Sequence, residues 1–231
     1  MQKTDGTGHC KIKGIMFDMD NTLFDLVEAK IASCNAIVDC LGTGNAEELL
    51  MYFMRKGHGF ESTENIRDYL RDMDIYREVI FENCCNIYNY TKLETLQLYP
   101  YVRETLELLR EQQIRLFIVT DASHNNAIAR LEKLQLTGMF DQVITPDLTK
   151  AVKPDINVFY HALHRAGLRA EEVVFVGDSL RRDIEPARKA GMVTAYACYG
   201  DRNINDSYQT EADYVLNNIR DVLNVKGIGK N

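Results

Sequence analysis

Short apolar segments alternate with helical patterns through the second half of the chain. The predicted strands lie at residues 114–120, 141–145, 172–178, 192–197 and 212–216. Helical spacing of apolar residues falls between these strands, at 127–134, 156–165 and 184–190, and a short helix ends near Val222. Since this alternation is typical of a parallel sheet with helices on both faces, it predicts an α/β fold with a Rossmann-like core.

The pattern changes between residues 26 and 98, where apolar residues recur at helical spacing without strand-like alternation. The positions include Ile31, Cys34, Ile37, Val38 and Leu41, then Leu49, Leu50 and Phe53, then Ile75, Val79 and Ile80, and onward to Ile87. Turn-rich segments at 41–45 and 56–62 interrupt them, so we predict an insertion of about four helices. The expected organisation is a flexible tail at 1–10, an α/β core domain at 11–25 and 99–231, and an inserted all-helical cap domain at 26–98.

Composition excludes several classes of function. The 231 residues carry a formal net charge of −7 and no Lys/Arg cluster, which argues against nucleic-acid binding. No apolar segment approaches the length of a membrane span, and the polar first ten residues lack the apolar region of a signal peptide. The six cysteines show no zinc-ligand spacing and are expected to be reduced thiols. We therefore expect a cytoplasmic protein without membrane partners.

The segment from Lys13 to Asp25, KGIMFDMDNTLFD, combines a buried strand with an unusual set of acids. Its apolar residues run directly into Asp18 and Asp20, which are followed by Asn21. Burying ionised carboxylates is costly unless they are paired or bind a metal. The simple alternative is a helix N-terminus, where Asp, Asn and Thr act as caps. Asp25 lies outside this group and is expected to stabilise the turn into the helical segment.

Chemically active side chains follow several other predicted strands. They are Thr120 and Asp121 after the second strand, Lys150 and Lys153 after the third, and Asp178 and Asp183 after the fourth. Ligands of open parallel sheets bind at the carboxyl ends of the strands, so we expect these side chains to share one edge with Asp18 and Asp20. Crowded carboxylates repel one another, and a bound divalent cation offsets that repulsion. Oxygen ligands without soft ones favour magnesium.

These motifs resemble those of the haloacid dehalogenase superfamily. The pattern is D-x-D-x-T, then Thr at the second strand, then Lys-Pro, then G-D-x-x-x-x-D, in that order from about Lys13 to Leu223. The resemblance is to the phosphatases of that superfamily that carry a helical cap after the first strand. Such phosphatases act on small phosphates that include phosphoglycolate, glyceraldehyde 3-phosphate and nucleoside monophosphates. The resemblance implies a small phosphorylated metabolite as the substrate and Mg²⁺ as the cofactor.

The resemblance also implies a role for each motif residue. Asp18 is the expected nucleophile, which forms an aspartyl-phosphate, and Asp20 the expected acid and base. Thr120 binds the phosphoryl oxygens, and Lys153 neutralises their charge. The expected metal ligands are Asp18, the backbone carbonyl of Asp20, Asp178 and Asp183. Asn21 and Asp121 are expected near the substrate.

Some alternatives remain open at this stage. Lys150 competes with Lys153 for the cationic role, and many relatives have Asn where this chain has Asp121. His58 is a candidate specificity residue, although a surface histidine is the simpler interpretation. On the same fold, a 2-haloacid dehalogenase needs neither the metal nor Asp20, and a phosphomutase differs only in the phosphoryl acceptor. A receiver-type phospho-acceptor signalling module uses similar residues, but in another order and without an insertion.

Overall fold

A computed structural model describes residues 11–55, 57–202 and 211–228 of the chain. The predicted tail at 1–10, with Cys10, lies outside these residues. The described strands form one six-stranded sheet with the order β3-β2-β1-β4-β5-β6, and every pair of neighbours is parallel. The strands are β1 Gly14–Phe17, β2 Arg115–Val119, β3 Gln142–Ile144, β4 Val173–Gly177, β5 Val193–Ala197 and β6 Tyr214–Leu216. The predicted α/β fold is confirmed.

The helices of the described chain fall into two groups. The first group precedes β2 and comprises α1 Leu26–Leu41, α2 Ala46–Met54, α3 Glu64–Asp72, α4 Glu78–Glu94 and α5 Val102–Glu111. The second group alternates with the later strands and comprises α6 His124–Lys133, α7 Pro146–Thr149, α8 Ile156–Ala166 and α9 Glu185–Lys189. None of the helices in the described part of the chain has both the length and the apolar character of a membrane span.

The chain divides into two compact units. One unit holds the described residues before Leu26 and after Leu96, and the other is Leu26–Leu96. The first contains the sheet together with α5 to α9, and the second contains α1 to α4. The assignment of residues 26–98 as a cap domain stays a prediction.

The register of the sheet sets the edge at which its loops meet. Phe17, the last residue of β1, lies beside Ile118 of β2 and Val176 of β4. The carboxyl ends of these three strands are therefore nearly level. Because β1 lies between the other two strands, the loop that follows it is flanked by the loops after β2 and β4.

Apolar burial explains why these segments form a sheet with helices packed against it. All four residues of β1 and all five of β4 are buried, as expected for central parallel strands covered on both faces. On one face, the rings of Phe159 in α8 and Phe175 in β4 lie 4.9 Å apart. Each such buried ring contributes about 1.5–3 kcal/mol relative to an exposed one.

The helical unit has a core of its own. Its buried side chains are Cys34, Ile37, Leu49, Phe53, Ile66, Tyr69, Leu70, Phe81, Cys84 and Tyr88. The rings of Phe53 and Tyr88 stack with centroids 4.9 Å apart. Of the apolar positions in the predicted pattern, Ile75, Ile80 and Ile87 pack partly buried against this core. Val79 is 77% exposed, and the buried side chains of α4 are Phe81, Cys84, Tyr88 and Lys92.

The segment after β5 fixes the loop that follows β1. The Tyr199 hydroxyl donates a hydrogen bond to the Thr22 carbonyl oxygen over 2.7 Å. Gly200 lies so close to this loop that an added Cβ would overlap the carbonyl oxygen of Asn21. The backbone of Asn21 has a φ of 57°, and its N–H donates to the Phe24 carbonyl oxygen over 2.8 Å. The loop after β1 is therefore fixed by its own hydrogen bond from Asn21 to Phe24 and by the hydrogen bond from Tyr199.

We predict that Gly200→Ala destabilises the protein, because the methyl group meets a backbone atom that cannot rotate away. The expected loss is about 1–3 kcal/mol in the free energy of unfolding, measured by denaturant titration. Gly59→Ala is the control, since an added Cβ there meets nothing within 4 Å. Equal stability of the two variants would contradict the proposed contact.

Candidate active site

Asp18 lies at the centre of the edge where the strands end. It follows β1 directly, and its N–H donates to the Val176 carbonyl oxygen over 2.8 Å, which extends the pairing with β4 by one residue. The residue is 7% exposed. Its backbone is thus fixed by the sheet, and its side chain leaves a central strand into a nearly closed environment.

Lys153 supplies the positive charge in this environment. Its ammonium Nζ donates to Asp18 Oδ1 and to Asp183 Oδ1, each over 2.6 Å, and its side chain is 1% exposed. Burial by itself lowers the pKa of Lys153, but the carboxylates of Asp18 and Asp183 outweigh that effect and the net shift is upward. The lysine therefore stays charged. Lys150, the competing candidate, is exposed at the end of α7.

Asp178 completes a cluster of three buried carboxylates with Asp18 and Asp183. A ligand oxygen of each lies within 4.8 Å of the others. Burial, followed by repulsion from Asp18 and Asp183, raises the pKa of Asp178 well above its ordinary value. Burial also raises the pKa of Asp183 to about 6, although the Lys153 ammonium opposes that shift. Burial and repulsion among the acids thus both disfavour the charged forms of Asp178 and Asp183.

The donors and charge of this cluster suit a divalent metal ion. The three acids carry three negative charges when all are ionised, and the Lys153 ammonium that bonds two of them carries one positive charge. All three acids offer oxygen, which is the ligand type that hard divalent cations prefer. A divalent cation would offset the repulsion among these acids, which adds to burial in raising the pKa of Asp178 and Asp183.

Asp183 reaches this position because β4 ends in a glycine. A Cβ on Gly177 would lie 2.5 Å from the Cβ of Asp183. The Asp183 Oδ2 also accepts a hydrogen bond from the Ser179 N–H over 3.1 Å. Gly177 and Ser179 therefore hold Asp183 against the end of β4. This contact explains why Asp183, five residues after Asp178, lies in the same cluster.

Thr120 lies buried at the end of β2. Its hydroxyl oxygen accepts a hydrogen bond from the Ala122 N–H over 3.1 Å. Because the oxygen serves as an acceptor here, its proton remains available to donate to a bound oxyanion. Helix α6 is capped by Ser123 and not by Thr120, since the Ser123 side chain accepts from the Asn126 N–H.

Asp121 connects the loops that follow β2, β3 and β4. Its Oδ1 accepts from the Lys153 N–H over 2.9 Å, and its Oδ2 accepts from the guanidinium of Arg182. Arg182 precedes Asp183 directly, and its own N–H donates to the Ser179 hydroxyl oxygen over 3.2 Å. The two carboxylate oxygens of Asp121 thus link the loop of Lys153 to the loop of Arg182. The expected contact of Asp121 with the substrate stays a prediction.

Asp20 pairs with an arginine that lies far away in the sequence. Arg130 Nη1 donates to both carboxylate oxygens, over 2.7 Å to Oδ1 and 2.8 Å to Oδ2. The arginine side chain is 3% exposed and that of Asp20 is 19% exposed. The carboxylate of Asp20 is not among the three clustered acids found within the described residues. The expected contact of its backbone carbonyl with a metal stays a prediction.

Three other predicted residues have defined positions. Asn21 lies in the loop after β1, in the left-handed conformation already described. Asp25 pairs with the guanidinium of Arg202. His58 Nε2 lies 3.0 Å from Asp68 Oδ2 within the helical unit, and both side chains are exposed. The roles expected for Asn21 and His58 toward a substrate stay predictions.

Sequence reasoning missed Arg130 and Arg182. Arg130 lies three residues after Ala127 and beside Leu131, both of which are buried on α6. A charged residue on the buried face of an amphipathic helix was the available signal, because such a charge requires a partner. For Arg182 the signal was its place beside Asp183 in a motif that already carries two acids.

Comparison with known proteins identifies the family of this chain. The profile of the haloacid dehalogenase-like hydrolase family matches residues 15–197. The glyceraldehyde 3-phosphate phosphatase of Methanocaldococcus jannaschii is 30% identical over 222 residues, which cover 93% of this chain and 96% of that protein. The phosphoglycolate phosphatase of Nitrosospira multiformis is 29% identical, covering 89% of this chain and 91% of its own length.

A solved structure shows the same architecture. The crystal structure of a phosphatase of this family from Thermococcus onnurineus has a TM-score of 0.65 and 25% sequence identity. The similarity covers 94% of this chain and 99% of that one. The family profile spans β1 to β5 and includes all four motifs at the edge of the sheet. This chain is a member of the haloacid dehalogenase-like hydrolase family.

Proposed function

We propose that this protein is a magnesium-dependent phosphomonoesterase that hydrolyses a small phosphorylated metabolite through an aspartyl-phosphate on Asp18. The observation that carries the proposal is the buried contact of Lys153 with Asp18 and Asp183, each over 2.6 Å, within the cluster completed by Asp178. A carboxylate attacks an anionic phosphoryl group only where cations offset their mutual repulsion. Lys153 places such a cation directly on the nucleophile.

Asp18 is the nucleophile of the proposed reaction. One of its carboxylate oxygens attacks phosphorus, the bond between phosphorus and the ester oxygen breaks, and the alcohol leaves. Water then attacks the aspartyl-phosphate, which releases inorganic phosphate and restores the carboxylate. Lys153 and the Thr120 hydroxyl stabilise the charge on the phosphoryl oxygens through both steps.

Asp20 is the general acid and base of the proposed reaction. It donates one to the leaving alcohol in the first step and accepts one from the attacking water in the second. Its partly exposed carboxylate, paired with Arg130, lies two residues from the nucleophile. The loop that carries Asp20 is fixed by the hydrogen bond of Asn21 to Phe24, which supports a positioned acid and base.

The buried carboxylates are the proposed magnesium ligands. Asp18, Asp178 and Asp183 would hold the ion, together with the Asp20 backbone carbonyl. When bound, magnesium polarises phosphoryl oxygens and neutralises developing negative charge. Lys153 remains necessary because it orients the Asp18 side chain and balances one of the three acids.

Several findings support a small phosphorylated metabolite as the substrate. The similar proteins named above are phosphatases of glyceraldehyde 3-phosphate and of phosphoglycolate. A phosphorylated carbohydrate phosphatase of Thermotoga maritima is 24% identical over 93% of this chain. A cytoplasmic location is part of the proposal, and the free thiols of the five described cysteines support it.

The proposed reaction requires both a phosphate ester and a divalent metal ion. Purified protein should release inorganic phosphate from a panel of glyceraldehyde 3-phosphate, phosphoglycolate and nucleoside monophosphates in the presence of Mg²⁺. Excess chelator should lower that rate about 100-fold or more, since metal catalysis contributes several kcal/mol, and added Mg²⁺ should restore it. Activity that survives chelation would exclude the metal. Halide release from a 2-haloacid, without phosphate release, would identify a dehalogenase.

Asp18→Asn should abolish phosphate release and leave the fold intact, because the two side chains are nearly isosteric and only the nucleophilic charge is lost. Steady-state assays and thermal unfolding check both parts. Asp155→Asn is the matched control, since Asp155 caps α8 by accepting from the Asn157 N–H and Asn caps equally well. The control should keep full activity. Substantial turnover in the Asp18 variant would assign the nucleophile elsewhere.

Asp20→Asn should lower turnover at least about 100-fold, the usual contribution of a positioned acid and base. The loss should be greater for alkyl phosphates than for p-nitrophenyl phosphate in kcat/KM, because a good leaving group needs no proton. Full activity of this variant would remove Asp20 from the mechanism. An equal loss of kcat/KM for both substrates would argue against its role as the acid.

A further inference from the structure

Resting on the proposed function, we propose that Arg130 is a positioning residue that holds the Asp20 carboxylate for the hydrolysis of the aspartyl-phosphate. The pair joins α6 to the loop after β1 across 110 positions of sequence. Both oxygens of Asp20 accept from Arg130 Nη1, over 2.7 and 2.8 Å. A carboxylate held by both oxygens cannot turn freely about its side-chain bonds, so the pair fixes the direction of its remaining lone pairs.

The loop backbone does not depend on Arg130. The Asn21 N–H donates to the Phe24 carbonyl oxygen over 2.8 Å, and the Leu23 N–H donates to the Met19 carbonyl oxygen over 3.0 Å. The Tyr199 hydroxyl holds the same loop through the Thr22 carbonyl oxygen. The Arg130 contact therefore adds orientation of the Asp20 side chain to a loop that is already fixed.

Helix α6 does not depend on this ion pair for its place either. Ala127 and Leu131 bury its apolar face, Ser123 caps its first turn, and Arg103 binds the carbonyl oxygens at its far end. A buried ion pair contributes little net stability, because the desolvation of both charges offsets their attraction. A 3% exposed arginine on this face is better explained by what it does to Asp20.

The geometry fits the second half of the reaction. An ionised carboxylate has about four acceptor positions, and Arg130 occupies two of those on Asp20. Water reaches the Asp20 carboxylate because this side chain is 19% exposed. Arg130 thus acts on the step in which the water oxygen attacks phosphorus, the water proton passes to Asp20, and the bond from phosphorus to Asp18 breaks.

The test measures the formation and decay of the phosphoenzyme separately. The wild-type protein and Arg130→Met are mixed with p-nitrophenyl phosphate and quenched with acid at successive times. The leaving group departs without a proton from the protein, so formation should change by less than about twofold. Decay should slow about tenfold or more, since a displaced base loses part of its usual 10²–10⁴-fold contribution. Arg130→Lys should recover part of the decay rate.

Two controls separate positioning from a general structural role. Arg103→Met removes contacts to the Leu134 and Gln135 carbonyl oxygens at the end of α6, and it should leave both rate constants unchanged. In an Asp20→Asn background, Arg130→Met should slow decay no further, because no base remains to position. Thermal unfolding confirms that each variant is folded.

The outcomes distinguish this inference from the proposed function. A wild-type protein that forms no phosphoenzyme and releases no phosphate overturns both. With an active wild-type protein, equal slowing of formation and decay in Arg130→Met overturns the positioning role alone, as does unchanged decay. Additive slowing in the double variant overturns it as well, since Arg130 would then act without Asp20.

Discussion

The Lys153 ammonium, bonded to Asp18 and Asp183 over 2.6 Å each, is the interaction on which the site depends. Three buried carboxylates within 4.8 Å of one another repel strongly, and the sheet edge accommodates them only with a cation among them. Removing the Lys153 ammonium would leave buried carboxylates without this counter-charge, which costs several kcal/mol. The Lys153 ammonium reduces the repulsion among these acids, and its hydrogen bond also orients the carboxylate of Asp18. Under the proposed mechanism, both the stability of the site and its chemistry therefore depend on the positive charge of Lys153.

Much of this arrangement follows from local rules in the sequence. Central parallel strands bury both faces, so β1 and β4 appear as short apolar segments, and polar residues mark their ends. The level ends of β1, β2 and β4 then bring Asp18, Thr120 and Asp178 to one edge without any long-range information beyond strand order. The choice of Lys153 over Lys150 needed the family pattern, because both lysines follow β3 in sequence.

Other parts of the structure depend on tertiary contacts that a sequence does not encode locally. Arg130 comes to the site because α6 turns one particular face toward the loop after β1, and a small error in helical phase would place it in solvent. Helix α4 shows how much two positions matter, since Val79 is exposed and Phe81 is buried. Arg182 is a similar case, because its partner Asp121 belongs to another strand end 61 residues away.

The five acids at this edge fall into two electrostatic groups. Asp20 and Asp121 each pair with an arginine, so each pair is locally neutral. Asp18, Asp178 and Asp183 lie around the Lys153 ammonium, and burial together with repulsion among the acids raises the pKa of Asp178 and Asp183. The clustered acids are therefore the side chains whose charge suits a divalent cation. Under the proposed mechanism, the arginines neutralise the Asp20 and Asp121 side chains, and the three clustered carboxylates hold the metal.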